Sequence, residues 1–161
     1  DQLGRLAKQG AAVIFHQTLV GGNYGMLDSD TFQPRPNYWS AVLWRRLMGA
    51  KVLDAGKSQP GLRLYAHCLS GSRGGVALLA INLNKSSAAI AVSSPADLYA
   101  LTTPDLHGKT TLLNGKPLAL NSNDTLPKMK SVREANKQVI LAPTSIAFIA
   151  LAKANNRSCL S

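Results

Sequence analysis

The sequence has few of the residues that most often carry enzyme chemistry. Its 161 residues include one glutamate (Glu134), two cysteines (Cys68 and Cys159) and three histidines. Two cysteines far apart in sequence do not make a structural zinc site, which needs four closely spaced ligands. No GxGxxG, Walker or HExxH pattern occurs, and no apolar run approaches the roughly 18 residues of a membrane-spanning helix. We therefore expect neither a metal nor a cofactor.

Positive charge is in excess. Lysine and arginine number 18 against 8 aspartates and glutamates, a net charge of +10, which would attract nucleic acid, anionic membranes or acidic polysaccharides. The basic residues are scattered, with mild clusters only at Arg45-Arg46 and between Lys128 and Lys137, and no aromatic residues interleave with them. This pattern argues against nucleic acid. A solvated basic surface is favoured, and the alternative is a non-catalytic β module that binds polyanions.

The first 50 residues predict a helix, a strand, a loop and a second helix. Residues 2–9 have the pattern of a helix tail that Gly10 stops. The continuous apolar run 11–15 predicts a buried parallel strand, and a polar, glycine-rich loop over residues 17–33 follows it. The next helix opens at Pro36 and closes at Gly49, and its apolar stripe consists of Trp39, Val42, Leu43 and Leu47. Strand, loop and returning helix form the βα unit on which barrel enzymes display substrate contacts.

After Gly49 the apolar repeat becomes strand-like. Strands are predicted over residues 62–68, 76–83, 88–92, 97–103, 110–113 and 145–151. Asn114-Gly115 is a hairpin signal, and the polar stretch 121–136 predicts a long surface loop. Many short strands imply a β-sandwich. We therefore expect an α/β segment over residues 1–50 and an all-β domain over residues 51–161.

The carboxylates and histidines do not form an evident catalytic set. Glu134 falls in the predicted polar loop and is expected to be a surface charge. Asp28 and Asp30 could contact hydroxyl groups of a ligand, but we favour them as turn residues that hydrogen-bond their own backbone. His67 precedes Cys68 on a strand, whereas papain-like catalysis needs the cysteine on a helix. A surface histidine beside a structural cysteine is the favoured interpretation.

The cysteines and the N-glycosylation sequons indicate the cellular compartment in which the protein is found. Cys68 and Cys159 are either two buried thiols or one disulfide. The sequons at Asn84, Asn123 and Asn156 favour a secretory route. The chain begins with Asp-Gln rather than Met and shows no signal peptide. We therefore expect a fragment or processed product whose targeting segment lies upstream.

The loop is the most suggestive part of the chain. Gln17 offers a donor and an acceptor, Tyr24 offers a hydroxyl, and Gly21 and Gly22 let the backbone approach a ligand closely. Free N–H groups beside a tyrosine hydroxyl suit a carboxylate, because charge-assisted hydrogen bonds are the strong ones.

The chain resembles the heparanase-like β-glucuronidases, glycoside hydrolase family 79, and most closely the plant members. The matching pieces run in order along the whole chain: residues 17–24, 28–39, 46–49, 62–68, 79–83, 112–115 and 145–151, with Cys159 beyond. The resemblance implies the last βα unit of a TIM (β/α)8 barrel followed by a β-sandwich. It also implies a retaining hydrolase that acts on glucuronic-acid-containing polysaccharides, proteoglycans or glycosides.

The resemblance assigns roles to individual residues. The Gly22 N–H and the Tyr24 hydroxyl would hold the glucuronate carboxylate, and Gln17 would contact the sugar. Cys68 and Cys159 would form the sandwich disulfide. Both catalytic glutamates would lie in the remainder of the barrel upstream, so this chain alone is expected to be inactive. The expected location is extracellular, lysosomal or vacuolar, with peripheral association with a membrane or cell wall as a further expectation.

Overall fold

A computed structural model describes residues 1–57 and 59–160, and these are mostly sheet with few helices. Helix α1 spans Gln2–Lys8 and helix α2 spans Pro36–Leu47. The strands are β1 (Met48–Leu53), β2 (Leu62–Leu69), β3 (Val76–Asn82), β4 (Ala88–Ala91), β5 (Ala96–Thr102), β6 (Leu112–Leu113), β7 (Lys116–Pro117), β8 (Val132–Glu134), β9 (Gln138–Leu141) and β10 (Ser145–Leu151). A 3-10 turn, Arg157–Cys159, follows β10. None of the described helices is long and apolar enough to span a membrane.

The strands form one large antiparallel sheet and one small one. The large sheet has the order β1-β2-β3-β10-β5-β6-β7, and β8 also pairs with β5. Strand β10 lies at its centre, where Phe148 is opposite Leu79 of β3 and Tyr99 of β5. The small sheet consists of β4 and β9. A last long strand in the middle of the sheet joins segments far apart in sequence.

Both faces of the large sheet are covered. On one face the small sheet contributes Ile90 and Val139, which belong to the same buried cluster as Ala147 and Ile149. On the other face Leu43 of α2 belongs to a cluster that contains Leu79, Tyr65 and Phe148. Burial on both faces explains why β3 and β10 are continuously apolar rather than alternating. The predicted second layer has only two strands among the described residues, so the full sandwich stays a prediction.

Strong sequence patterns are confirmed. Helix α2 begins at the predicted Pro36 and ends two residues before Gly49, and its Trp39 and Leu43 are buried. Strands β2, β3, β4, β5 and β10 fall on predicted segments. Asn114 and Gly115 join β6 to β7 with φ of 49° and 79°. Positive φ at both positions is what the tight two-residue hairpin turn requires.

The buried strand predicted at residues 11–15 does not form among the described residues. No strand is assigned there, and Val13 and Phe15 are 67% and 90% exposed. A parallel strand needs a neighbour for its backbone hydrogen bonds, and none of the described segments lies beside this run in a ladder. An apolar run thus specifies a tendency to be buried without specifying what buries it.

Three strands were not predicted. Strand β1 starts directly after α2 and straddles the predicted boundary between residues 50 and 51. Strand β8 interrupts the expected polar loop, because Val132–Glu134 pairs with the first residues of β5. Strand β9 follows it and pairs with β4.

His67 is buried rather than at the surface. It is 4% exposed, its Nδ1 lies 2.6 Å from the Gly49 carbonyl oxygen, and its ring packs edge-on against Trp44 at 5.1 Å. The prediction failed because α2 covers the face of β2 that the alternating pattern assigned to solvent. The disulfide alternative for Cys68 and Cys159 is confirmed, with a Cα–Cα distance of 5.4 Å.

Candidate carboxylate-binding loop

The glycine loop lies between the apolar run 11–15 and α2. The two sides of the loop, which lead into and out of residues 21–25, contact each other. The Leu27 N–H donates to the Leu19 carbonyl at 2.8 Å, and a β-bridge joins Val20 to Leu27. A second bridge joins Leu27 to Pro34. The segment 21–25 therefore forms a tip between the two sides.

Glycine is required at the tip. Gly22 has φ of 62° in the left-handed region, which side chains rarely adopt. Gly25 is buried, and a Cβ there would lie 2.6 Å from the Gly21 carbonyl oxygen. The tight turn thus explains two of the glycines.

Gly22 and Tyr24 are brought together. A Cβ built on Gly22 would lie 3.3 Å from two Tyr24 ring atoms and 3.6 Å from the Tyr24 hydroxyl oxygen. Tyr24 is 59% exposed. Within the described part of the chain the Gly22 N–H has no acceptor. The Gly22 backbone and the Tyr24 phenol are therefore neighbours at the surface, and N–H and O–H groups are the donors that a carboxylate accepts from.

Side chains outside the tip fix its carbonyl groups. Arg35 Nη1 donates to the Gly22 carbonyl at 2.9 Å. Asn37 Nδ2 donates to the Tyr24 carbonyl at 3.2 Å, and His16 Nε2 lies 3.2 Å from the same oxygen. Arg35 and Asn37 flank the start of α2, so the helix that follows the loop also holds it in place.

Asp28 is confirmed as a turn residue and has further partners. Its Oδ1 accepts from the Thr31 N–H at 3.2 Å and from the Asp30 N–H at 3.3 Å. Its Oδ2 accepts from Lys109 at 2.8 Å and from Arg35 at 3.4 Å. The hydrogen bond from Lys109, followed by those from Thr31, holds the pKa of Asp28 well below its usual range. These donors engage both oxygens of the carboxylate within the protein.

The remaining predicted residues lie apart from this pair. Gln17 is exposed, and no hydrogen bond joins its side chain to Gly22 or Tyr24 among the described residues. Glu134 is half-buried on β8. The described residues include no group of three or more His, Cys, Asp or Glu that could hold a metal.

Sequence patterns missed Arg35 and Lys109. Arg35 lies next to α2, and its proximity to the Gly22 carbonyl depends on how the loop folds back. Lys109 is 81 positions from Asp28 and comes from the connection between β5 and β6. No local pattern signals a contact over that separation.

Solved structures with a similar fold are glycoside hydrolases. An arabinose-bound family 51 α-L-arabinofuranosidase superposes with a TM-score of 0.54 at 14% identity, covering 89% of this chain and 25% of that one. A family 30 subfamily 8 xylanase from Clostridium acetobutylicum gives a TM-score of 0.50 at 16% identity, covering 81% of this chain and 31% of that one. The fold is therefore one that occurs within glycoside hydrolases.

Among glycoside hydrolases, the curated relatives of this chain are heparanase-like proteins and glucuronidases. Heparanase-like protein 1 of Arabidopsis thaliana is 36% identical over 99% of this chain and 37% of its own length. Baicalin-β-D-glucuronidase of Scutellaria baicalensis is 36% identical over 94% of this chain and 30% of its own length. Heparanase of Gallus gallus is 30% identical over 99% of this chain and 34% of its own length. No protein-family model matches.

The chain is a homologue of the heparanase-like proteins and baicalin-β-glucuronidase, and it corresponds to a C-terminal portion of such proteins. It spans about a third of the length of the curated relatives it matches.

Proposed function

We propose that this chain is the C-terminal part of a retaining β-glucuronidase of the heparanase-like type, acting on glucuronic-acid-containing glycans or glycosides. The observation that carries the proposal is the neighbouring pair of donors on Gly22 and Tyr24, in a chain whose relatives include proteins named as glucuronidases. A uronic acid differs from a neutral sugar by a carboxylate, and charged hydrogen-bond donors or paired neutral donors recognise that group selectively.

The chain's role is recognition rather than bond cleavage. Retaining hydrolysis needs one carboxylic acid to protonate the leaving oxygen and a carboxylate to attack the anomeric carbon, about 5–5.5 Å apart. Glu134 is the only glutamate, so we assign both catalytic glutamates to the rest of a longer protein and expect this chain alone to be inactive. The loop would hold the sugar ring in register with them, with Gln17 as a further sugar contact.

The exposed apolar run supports a barrel assignment for residues 1–50. Val13 and Phe15 present side chains that water solvates poorly. In the proposed protein, residues 11–15 are the last strand of a TIM barrel, and neighbouring barrel strands supply the ladder partners. The loop then lies at the carboxyl end of that strand, where barrel enzymes place substrate contacts.

Tyr24→Phe tests the proposal in the protein expressed at its natural length. A hydrogen bond to a charged group contributes about 1.5–3 kcal/mol, so kcat/KM for an aryl glucuronide should fall about 10- to 100-fold. The matching aryl glucoside should change little. Tyr38→Phe is the control, because it removes the same group from a residue of α2 rather than from the tip. Equal losses on both substrates would contradict the assignment.

A second candidate function is non-catalytic binding of polyanions. A groove of about 560 Å³ is lined by Arg5, Lys8 and Arg63, together with Asp1 and Tyr65. The three cations belong to no ion pair among the described residues. Binding to an acidic polysaccharide that weakens steeply with salt would favour this function, and no binding at low salt would remove it.

We also propose a secretory destination, either extracellular or lysosomal or vacuolar, with peripheral association with a membrane or cell wall. The disulfide between Cys68 and Cys159 supports it, because such bonds persist in oxidising compartments. Fractionation of cells that express the protein tests it, and accumulation in the cytosol would contradict it.

A further inference from the structure

The orientation of Gly22 depends on groups outside the turn. Gly21 and Gly22 are consecutive and both have positive φ. Glycine has no Cβ and many accessible conformations, so the turn does not fix itself. The Gly22 carbonyl has one side-chain partner among the described residues, Arg35 Nη1 at 2.9 Å. That hydrogen bond holds the peptide group between Gly22 and Asn23, and so restricts the rotation about the Gly22 Cα that sets the direction of the Gly22 N–H.

Arg35 is itself held in place. Its side chain is 16% exposed, and its Nη2 lies 3.4 Å from Asp28 Oδ2. Its backbone N–H donates to the Met26 carbonyl at 2.9 Å. The Nε is buried without a partner among the described residues. The guanidinium therefore acts through its two terminal nitrogens, one on the turn and one on the carboxylate.

Lys109 extends this chain of contacts to the sheet. It donates to the same oxygen of Asp28 at 2.8 Å, although its own side chain is 77% exposed. It lies in the connection from β5 to β6, so the carboxylate joins the glycine loop to the large sheet. Asp28 is 7% exposed, and the bond is shielded on one side from water.

We infer that Arg35 is a positioning residue for the Gly22 turn, oriented by Asp28, and that Lys109 couples the sheet to the turn through the same carboxylate. The inference rests on the proposed function, because it takes the Gly22 N–H and the Tyr24 hydroxyl as the ligands of a sugar carboxylate. Arg35 does not touch the substrate. It acts by keeping the two donors aligned.

The test compares Arg35→Gln with Arg133→Gln in the protein at its natural length. Arg133 pairs with Asp97 at 3.2 Å where β8 meets β5, so its variant also removes one guanidinium from an ion pair with an aspartate, but in the sheet rather than beside the turn. Two readouts are measured: kcat and KM on paired aryl glucuronide and glucoside, and hydrogen exchange of peptides covering residues 18–26. Arg35→Lys is a second variant that keeps the charge but cannot donate through a planar fork.

Arg35→Gln should raise KM for the glucuronide about tenfold, leave kcat and the glucoside nearly unchanged, and speed exchange in the turn. Combined with Tyr24→Phe, it should cost less than the product of the separate effects, because both act on one carboxylate. Arg35→Lys should fall between the wild type and Arg35→Gln. Lys109→Ala should change both readouts in the same direction by a smaller factor.

The outcomes separate the two proposals. If Tyr24→Phe changes selectivity while Arg35→Gln matches Arg133→Gln in both readouts, the positioning role is overturned and the proposed function stands. If Tyr24→Phe leaves selectivity unchanged, the proposed function fails, and the exchange data alone decide whether Arg35 orders the turn. Equal rates of hydrogen exchange in the turn of Arg35→Gln and Arg133→Gln would then also overturn the claim that Arg35 orders the turn.

Discussion

Removing the disulfide should destabilise the sheet without changing its native structure. The bond between Cys68 and Cys159 closes a loop with a sequence separation of 91. On the chain-entropy account a loop of that length stabilises the folded state by about 4–5 kcal/mol at 25 °C. A whole domain has a free energy of unfolding of about 5–15 kcal/mol, so the loss is a large fraction of the total.

The native tail has other restraints, which is why the folded structure should survive. The Gly74 N–H donates to the Cys159 carbonyl at 2.8 Å, the Asn156 N–H donates to the Gly74 carbonyl at 2.9 Å, and Arg73 Nε donates to the Leu160 carbonyl at 3.1 Å. The disulfide acts mainly by restricting the unfolded chain. Paired replacement by alanine is preferred to serine, because Cys159 is buried and a hydroxyl there would lack partners.

Urea unfolding followed by tryptophan fluorescence measures the effect, since Trp39 is buried and Trp44 packs against the sheet. The double variant Cys68→Ala/Cys159→Ala and the reduced wild type should have nearly the same midpoint, both well below the oxidised protein. The slope should rise, because the open unfolded chain exposes more surface. A loss below about 1 kcal/mol would refute a stabilisation by loop closure of this size.

Three further predictions concern the core, pH and glycosylation. Phe148→Ala should lower the free energy of unfolding by about 3–5 kcal/mol in urea, because the ring is 1% exposed at the centre of the sheet; a much smaller loss would mean that the site collapses around the cavity. Asp28 has a lowered pKa, caused first by the hydrogen bond from Lys109. Its contribution to the free energy of unfolding is therefore complete above about pH 4 and is lost as the pH falls further. The difference in unfolding free energy between wild type and Asp28→Asn should therefore shrink from about pH 6 to about pH 3, and a constant difference would contradict this. Glycopeptide mass spectrometry should find a glycan on exposed Asn123 and none on Asn84, whose Nδ2 donates to the Pro60 carbonyl at 3.2 Å; the opposite occupancy would contradict the prediction.

Sequence patterns correctly predicted the elements that have a long periodic or continuous pattern of apolar residues. Helix α2 has an apolar stripe that packs against the sheet, and β3 and β10 are apolar along their whole length. The run 11–15 is equally apolar, yet it is exposed among the described residues. Composition records that a segment favours burial, whereas the partner that buries it can come from any part of a protein.

Short strands and long-range contacts have weaker signals in the local sequence, and several of these were not predicted. Strand β8 is three residues long and two of them are charged, and only its pairing with β5 makes it a strand. The burial of His67 depends on the position of Trp44, which a strand repeat does not encode. At the site, the pairing of Gly22 with Tyr24 is local and was predictable, whereas the contacts of Arg35 and Lys109 depend on the folded path of the chain.

The central place of β10 has a consequence for biosynthesis. Strands β3 and β5 leave the ribosome well before the strand that joins them. Until Ser145–Leu151 emerges, each presents an unpaired apolar edge to the nascent chain's surroundings. Completion of the sheet is therefore a late event, and a polypeptide cut off before this point would hold two half-sheets prone to associate with other chains.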